Sequence, residues 1–336
     1  MLRLRRGVVR SAGAAAATQQ LEVELADGSQ PAIATVALVG RCEPGDDVIV
    51  NVTARELGLG SGGFDIVHVN LTRGLEAPLA SERVLALGYT SIQHGVDPVE
   101  TRLSTARLQP AAAVAVIAIH GQLPAVAWAF AQAAPGQRLG YVQTAGGALP
   151  ASHSRVAAEL AARGLLHGRL AAAPAFDGAD GDAVTTAGAL VYGFSVLGWD
   201  AAVCGPGPGI LGTGSLLGHG ALGALDSLHT AAALGARTLV VPRMSSADSR
   251  ERHRGLSHHT RTVLELLLMQ TTVALPAGEE QPDAPGLWIE HTVDLDGYAQ
   301  SGLPTETMGL PLEQDRLFFA AALAGGGLLA QLVGAQ

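Results

Sequence analysis

One segment of the sequence, Arg243 to Arg261, concentrates the side chains that perform acid–base and binding chemistry. The chain as a whole has only 15% charged residues, whereas this stretch combines guanidinium, carboxylate and imidazole groups. Arginine binds phosphates and carboxylates through paired N–H donors, and histidine exchanges protons near neutral pH. The segment therefore predicts an anion-binding and proton-transferring site, the alternative being a solvated loop. The predicted catalytic residues are Asp248, His253, His258 and His259, and the predicted ligand-binding arginines are Arg250, Arg252 and Arg254.

The same groups leave a divalent metal open as an alternative, because imidazole and carboxylate are common metal ligands. No established ligand spacing is present, and two adjacent histidines are not expected to face one ion from a helix. In this alternative the ligands are His253, His258 and Asp248, with His120, His153 or His219 contributing from neighbouring loops.

A glycine-rich loop, GPGPGILGTGSLLGHG at Gly205 to Gly220, is a second candidate for ligand binding. It contains a G-x-G-x-x-G match, and glycines at such positions let backbone N–H groups approach an anion near a helix N-terminus. Two prolines interrupt the match and no acidic residue ends the following strand, so a nicotinamide cofactor is not expected. A phosphate or other anion fits better, and a tight structural turn is the alternative. The predicted ligand-binding residues here are Gly205, Gly207, Gly209, Gly212, Thr213 and Gly214.

Strands and helices alternate from residue 111 onward, which predicts a doubly wound, mostly parallel sheet of Rossmann-like type. The loops after parallel strands emerge at one edge of such a sheet. His120 follows the first strand and Gly146 and Gly147 follow the second, so these residues are added to the predicted ligand-binding set. The predicted strands are Ala112–Ile119, Leu139–Thr144, one within Gly168–Phe176, Ala201–Cys204, Thr238–Val241 and Thr271–Leu275.

Three further elements of the α/β region are assigned from local signals. Ser152 or Ser154 caps a helix that stops at Gly164, Asp182 caps a helix to Leu197, and a helix spans His259–Met269. Thr271–Leu275 closes the sheet, while Leu287–Gln314 has no clear assignment. A terminal helix, Asp315–Leu323, is expected to dock on the core and to be followed by a loose tail.

The N-terminal region, residues 1–72, reads as a small β-barrel. LEVEL at Leu21–Leu25 alternates apolar and acidic residues, the period of a half-buried strand, and Asp27-Gly28 then makes a hairpin turn. A transitional segment, residues 73–110, connects the barrel to the α/β domain at residues 111–336. No exposed aromatic set is predicted on the barrel, which disfavours oligonucleotide binding. The other barrel strands are expected around Arg5–Arg10, Ile33–Val39, Asp47–Val52 and Phe64–Leu71, with a glycine-rich bend at residues 58–63.

Composition excludes several functional classes. The net charge of -9 argues against binding to nucleic acid, which needs a basic face. The sequence has no lysine, so neither a Walker-A lysine nor a pyridoxal phosphate Schiff base can form. Two distant cysteines fit a reducing compartment, which predicts a cytoplasmic protein. The apolar stretch Leu317–Val333 falls just short of a membrane span of about 18 residues, so no membrane association is expected.

Five strings of the sequence occur in an order that resembles an uncharacterised actinobacterial family. They are GLGSGGFDIV, YVQTAGGALP, GPGPGILGTG, SADSRERHRGLSHHT and a TMG near the C-terminus. The family is known only as a domain of unknown function, DUF3866. The resemblance spans nearly the whole chain and implies a bacterial cytoplasmic protein of unassigned activity. It brings no catalytic residues with it.

The leading hypothesis from the sequence is a small-molecule-binding α/β protein, an enzyme acting on an anionic ligand that carries a phosphate or carboxylate. The alternative is a non-catalytic ligand sensor or assembly protein. The cofactor is not determined, and a homo-oligomer is left open.

Overall fold

The computed structural model describes residues 1–58, 63–75, 84–105, 107–108 and 112–334. The chain divides into two compact units, Met1–Asp97 and Pro98–Gln336, and each is described by itself. Most of the glycine-rich bend predicted at residues 58–63 lies outside the described residues.

The first unit contains a closed five-stranded barrel with strand order β1-β2-β3-β5-β4. Neighbouring strands are antiparallel except β3 and β5, which run parallel, and this is the strand order of a five-stranded Greek-key barrel of the OB type. Its elements are β1 (Leu4–Ala12), β2 (Thr18–Leu25), β3 (Gly28–Thr35), α1 (Val36–Val39), β4 (Asp47–Asn51), α2 (Thr53–Glu56) and β5 (Asp65–Asn70), followed by a hairpin of β6 (Val84–Ala86) and β7 (His94–Val96).

The barrel core follows the alternation of its strands. Leu21, Val23 and Leu25 are buried, whereas the intervening Glu22 lies at the surface. The strand predicted over Ile33–Val39 ends at Thr35, because the chain turns into the helical segment α1 before leaving the barrel wall.

The second unit alternates strands and helices around one sheet. Its elements are β8 (Ala113–Ile117), α3 (Leu123–Ala133), β9 (Leu139–Thr144), α4 (Arg155–Ala162), β10 (Arg169–Ala172), β11 (Asp182–Ala183), α5 (Thr186–Ser195), β12 (Ala201–Pro206), α6 (Gly223–Ala233), β13 (Arg237–Val241), β14 (Met244–Ser245), β15 (Gly255–Leu256), α7 (His258–Leu266), β16 (Thr272–Pro276), β17 (Leu287–His291), α8 (Leu295–Gln300), β18 (Glu306–Thr307), β19 (Leu310–Pro311) and α9 (Arg316–Gly334).

The central sheet has eight strands in the order β11-β10-β9-β12-β8-β13-β16-β17, and every neighbouring pair is parallel. Strand β8 is buried along its whole length because helices cover both faces. Ala115 and Ile117 pack with Phe130 and Phe319 on one face, and Val116 packs with the core of the other face. The predicted fold class, a doubly wound parallel sheet with a small N-terminal β-barrel, is confirmed.

The strand order has two switch points, one between β9 and β12 and one between β8 and β13. At each of them the chain leaves the two neighbouring strands in opposite directions. The chain leaves β9 toward β10 but leaves β12 toward β13, and it leaves β8 toward β9 but leaves β13 toward β16. Loops that diverge from neighbouring strands open a crevice at the carboxyl edge of the sheet, where ligands bind in α/β proteins. The four loops that the sequence singles out follow these four neighbouring strands.

The C-terminal helix differs from its prediction. Instead of a helix ending at Leu323 with a loose tail, α9 continues through three glycines to Gly334. It packs on α3, and a Cβ atom on Gly326 would lie 2.3 Å from the carbonyl oxygen of Val126. Close packing between the helices therefore overrides the low helix propensity of glycine.

Helix α9 is also the helix in the described part of the chain that is long and apolar enough to cross a membrane. Its most apolar window has a mean hydropathy of 1.8, yet 72% of that window is buried inside the protein. Its apolar surface is thus used to cover the sheet and α3.

Two further assignments are corrected. The series of strands does not end at Leu275, because Leu287–His291 pairs with β16 as an eighth strand at the sheet edge. Asp182 does not cap a helix, since it belongs to β11, and the hydroxyl of Thr185 accepts the capping hydrogen bond from the N–H of Gly188. Of the two serines considered for α4, Ser154 is the cap.

Candidate functional site

Four histidines form a buried cluster at the carboxyl edge of the sheet. His258 and His259 are the first residues of α7, and His253 lies in a short 3-10 turn of the loop after β13. His219 ends the glycine-rich loop after β12. Each of the four has less than a tenth of its surface exposed. We call these residues the histidine cluster.

The rings of the histidine cluster contact one another directly. His219 stacks on His259 with ring centroids 4.2 Å apart and an interplanar angle of 18°. The centroid of His258 lies 4.5 Å from that of His259 and 4.8 Å from that of His253. Among the described residues, the Nε2 atom of His258 and both ring nitrogens of His219 have no hydrogen-bond partner.

Three members of the cluster present ring nitrogens to a common point. One nitrogen from each of His253, His258 and His259 lies within 4.8 Å of the others. Adjacent histidines of a helix are not expected to face one ion, yet nitrogens of His258 and His259 lie within this distance of each other. Side chains of a helix tilt toward its N-terminus, so rings on the first two residues of α7 extend beyond the helix end and meet there.

Burial keeps the cluster uncharged. It lowers the pKa of His253 to about 3, with a further contribution from the nearby Arg243 charge, and the pKa of His259 to about 2. Burial also lowers the pKa values of His258 and His219. Imidazoles with such low pKa values are weak proton acceptors at neutral pH, and a neutral imidazole nitrogen is the form that binds a metal ion.

Asp248 serves two arginines. Its carboxylate accepts hydrogen bonds from Nη2 of Arg243 at 3.1 Å and from Nε and Nη2 of Arg250 at 2.9 and 2.7 Å. The hydrogen bond from Arg250, together with both positive charges, holds the pKa of Asp248 well below its usual range. Asp248, which is predicted to be catalytic or metal-binding, thus contacts two arginines, whereas the ring nitrogens that lie close together belong to His253, His258 and His259.

Arg243 begins the segment singled out in the sequence but lies outside the predicted catalytic and ligand-binding sets. Only 1% of it is exposed, and its Nη1 atom lies 3.4 Å from Nδ1 of His259. Burial lowers its pKa to about 10, so the guanidinium remains charged at neutral pH. Its Nε atom has no hydrogen-bond partner among the described residues. The available signal was its position directly after a buried strand.

The three predicted anion-binding arginines differ in their contacts. Arg250 pairs with Asp248 while 45% of its side chain stays exposed. The Nε atom of Arg254 donates to the backbone carbonyl of Asp248 at 2.9 Å, and Arg252 faces solvent. The loop is thereby held around one carboxylate while its cationic surface faces outward.

The glycines of the two predicted binding loops serve close packing. A Cβ on Gly146 would lie 2.2 Å from the carbonyl oxygen of Gly220, and one on Gly147 would lie 2.6 Å from that of Gly207. Because the two loops are in contact at Gly146 and Gly147, a larger residue would not fit at either position.

Further contacts fill the rest of the glycine-rich loop. Side chains of Ile117 and Gln143 occupy the space beside Gly205 and Gly207, Gly209 has a φ of +73°, and the N–H of Thr213 donates to Gly218. Beside Gly214, by contrast, no atom of the described residues lies within reach of a Cβ. A bridge between Gly212 and His219 holds that histidine in the cluster.

His120 belongs to a separate polar network at the same sheet edge. Its Nε2 atom lies 2.8 Å from the hydroxyl of Ser154, and its Nδ1 atom lies 3.2 Å from that of Tyr141. Burial lowers the pKa of His120 to about 4. Its described contacts do not include the histidine cluster.

The fold and the site define an α/β protein with a β-barrel unit and a buried histidine–arginine cluster at the switch-point edge of a parallel sheet. The chain belongs to the family described as "Protein of unknown function (DUF3866)", whose model matches residues 31–326. No curated protein and no solved structure matches the chain.

Proposed function

We propose that the α/β unit is a cytoplasmic enzyme that binds a small anionic molecule at the carboxyl edge of its sheet. The observation that carries the proposal is the buried Arg243 beside the uncharged His253, His258 and His259 at a switch point. A permanently charged donor next to neutral polar rings fits a ligand with a carboxylate or phosphate group.

Local charge supports an anionic ligand. The chain has a net charge of -9, yet the segment Arg243–Arg261 holds five arginines and two carboxylates. Asp248 already accepts hydrogen bonds from two of these arginines. A cationic surface on an otherwise acidic molecule attracts anions to this edge and repels them elsewhere.

Exposed Arg252 provides the first test. We expect a thermal-shift screen of phosphorylated and carboxylated metabolites to find a stabilising ligand, and turnover assays of that ligand to detect product. Arg252→Gln should weaken binding about tenfold, because a charge-assisted hydrogen bond contributes roughly 1.5–3 kcal/mol. Arg41→Gln, which removes an exposed arginine of the barrel, is the matched control. Equal binding in both variants would contradict the proposal.

A non-catalytic ligand sensor is the second candidate, and one observation favours it. The pKa values of His253 and His259, about 3 and about 2, are too low for efficient proton transfer at neutral pH. Stabilisation by a metabolite with no turnover, in protein that has been supplied with metal, would favour the sensor.

A further inference from the structure

We infer that His253, His258 and His259 form a binding site for one transition-metal dication of the Zn²⁺ class. The inference deepens the proposed function, and the metal's role toward a ligand rests on that function. Metal binding itself does not depend on it.

The spacing of the ring nitrogens is close to that of a metal site. Donors around a tetrahedral Zn²⁺ at about 2.0–2.1 Å lie about 3.4 Å apart. The three nitrogens already lie within 4.8 Å of one another, so ring rotations that move each nitrogen by about an ångström bring them to the spacing of zinc ligands.

The second contacts of His253 and His258 leave a ring nitrogen of each available as a metal ligand. Nδ1 of His253 lies 2.7 Å from the hydroxyl of Ser257, a contact that orients the ring and does not use its Nε2 atom. Nε2 of His258 has no partner among the described residues although the side chain is nine-tenths buried. A buried and unpaired imidazole nitrogen is costly, and a metal ion would satisfy it.

The donor set selects the class of metal. Three imidazoles suit Zn²⁺ and other late first-row ions, whereas Ca²⁺ and Mg²⁺ prefer oxygen ligands. Three protein ligands leave a fourth position open for water or substrate, as in catalytic zinc sites.

Arg243 constrains what occupies that fourth position. Its guanidinium lies 3.4 Å from His259, and a dication nearby adds positive charge to a buried cation. An anion at the open position compensates both charges. The metal and the anionic ligand should therefore bind cooperatively, each raising the affinity of the protein for the other.

His219 lies beside this site without belonging to the three-ligand set. It stacks on His259 with ring centroids 4.2 Å apart.

The test uses full-length protein purified without a histidine tag. After treatment with a chelator and its removal, we expect Zn²⁺ titration to show one tight site and Co²⁺ to give the visible absorption bands of nitrogen ligation. His258→Asn should weaken Zn²⁺ binding at least about 100-fold. His68→Asn, in the barrel, should leave it unchanged.

Different results test the metal site and the proposed function. Absence of stoichiometric Zn²⁺ binding to the wild-type protein overturns the metal site whatever any variant does, and so does unchanged affinity in folded His258→Asn. Should His258→Asn misfold, the Co²⁺ spectrum of the wild-type protein decides. Tight Zn²⁺ binding with no anion binding supports the metal site while the proposed function fails. Anion binding that is unaffected by chelation supports the proposed function while the metal site fails.

Discussion

Arg243 and Asp248 form a buried ion pair in which the carboxylate is shared with a second guanidinium group, that of Arg250. Side-chain exposures of 1% and 4% leave the pair almost without water. Such a pair adds modest net stability when complete, but the loss of one partner leaves an uncompensated charge in the interior.

We therefore expect Asp248→Asn to lower the free energy of unfolding by about 3–5 kcal/mol. The double variant Arg243→Met/Asp248→Asn should be more stable than Asp248→Asn alone, because it removes the stranded charge. Urea unfolding followed by circular dichroism measures both effects, and Asp47→Asn at the exposed pair with Arg6 is the control. Additive losses in the double variant would speak against this charge balance.

His120 makes stability depend on pH through a different network. Its pKa in the folded protein is lowered to about 4, whereas an unfolded histidine has a pKa of about 6.5. The unfolded state therefore binds more protons between these values, and stability is fully present above pH 6.5 and decreases as the pH falls toward 4.

The loss attributable to His120 over this range is up to about 3 kcal/mol. We expect His120→Gln to have a shallower dependence of unfolding free energy on pH between 7 and 4.5 than the wild-type protein. Parallel curves for wild type and His120→Gln would exclude His120 as a source of acid sensitivity.

At this scale the sequence predicts which residue types matter but not how they pair. The density of ionisable groups identified the loop after β13, and His253, His258 and His259 come together there. The hydrogen bonds from two arginines to Asp248 depend on three-dimensional contacts that spacing does not encode, whereas His219 was among the histidines expected to contribute from neighbouring loops.

At the scale of elements, α9 shows that packing can determine whether replacing a glycine by alanine stabilises or destabilises the protein. In an exposed helix, Gly→Ala stabilises by about 1 kcal/mol. At Gly326 a methyl group would meet the Val126 carbonyl at 2.3 Å and the Ala129 side chain at 2.8 Å.

We expect Gly326→Ala to destabilise the protein by about 1–3 kcal/mol, despite its better helix propensity. Gly334→Ala, near the end of the same helix, meets no described atom within 4 Å and should be neutral or slightly stabilising. Thermal and urea unfolding compare the two variants. A stabilising Gly326→Ala would mean that α9 and α3 do not pack as closely as described.

Continuous apolar runs and local caps predicted most elements. The run Ala112–Ile119 and the cap at Ser154 lie where expected, because buried strands and capped helices have local signatures. Strand β17 and the end of α9 were mispredicted because their partners, β16 and α3, are tertiary neighbours. The segment LWIEH (Leu287–His291) is also largely exposed, and it lacks the continuous apolar run that identifies a buried strand.

At the scale of the whole molecule, the two edges of the sheet in the α/β unit offer different environments. The carboxyl edge holds the histidine cluster and the arginine-rich loop. At the amino edge, a cavity of about 580 Å³ is lined by Gly235, Thr238, Thr272 and Leu332 among others. Charge and unpaired imidazoles favour the first edge for an anionic ligand, while open volume alone would favour the second.

Crystals of the untagged protein grown with Zn²⁺ and a stabilising anion, with diffraction measured at the zinc absorption edge, distinguish the two edges most directly. We expect one anomalous peak within bonding distance of His253, His258 and His259, with the anion beside it and in contact with Arg243. A metal and anion bound only elsewhere, for example in the amino-edge cavity, would contradict the account.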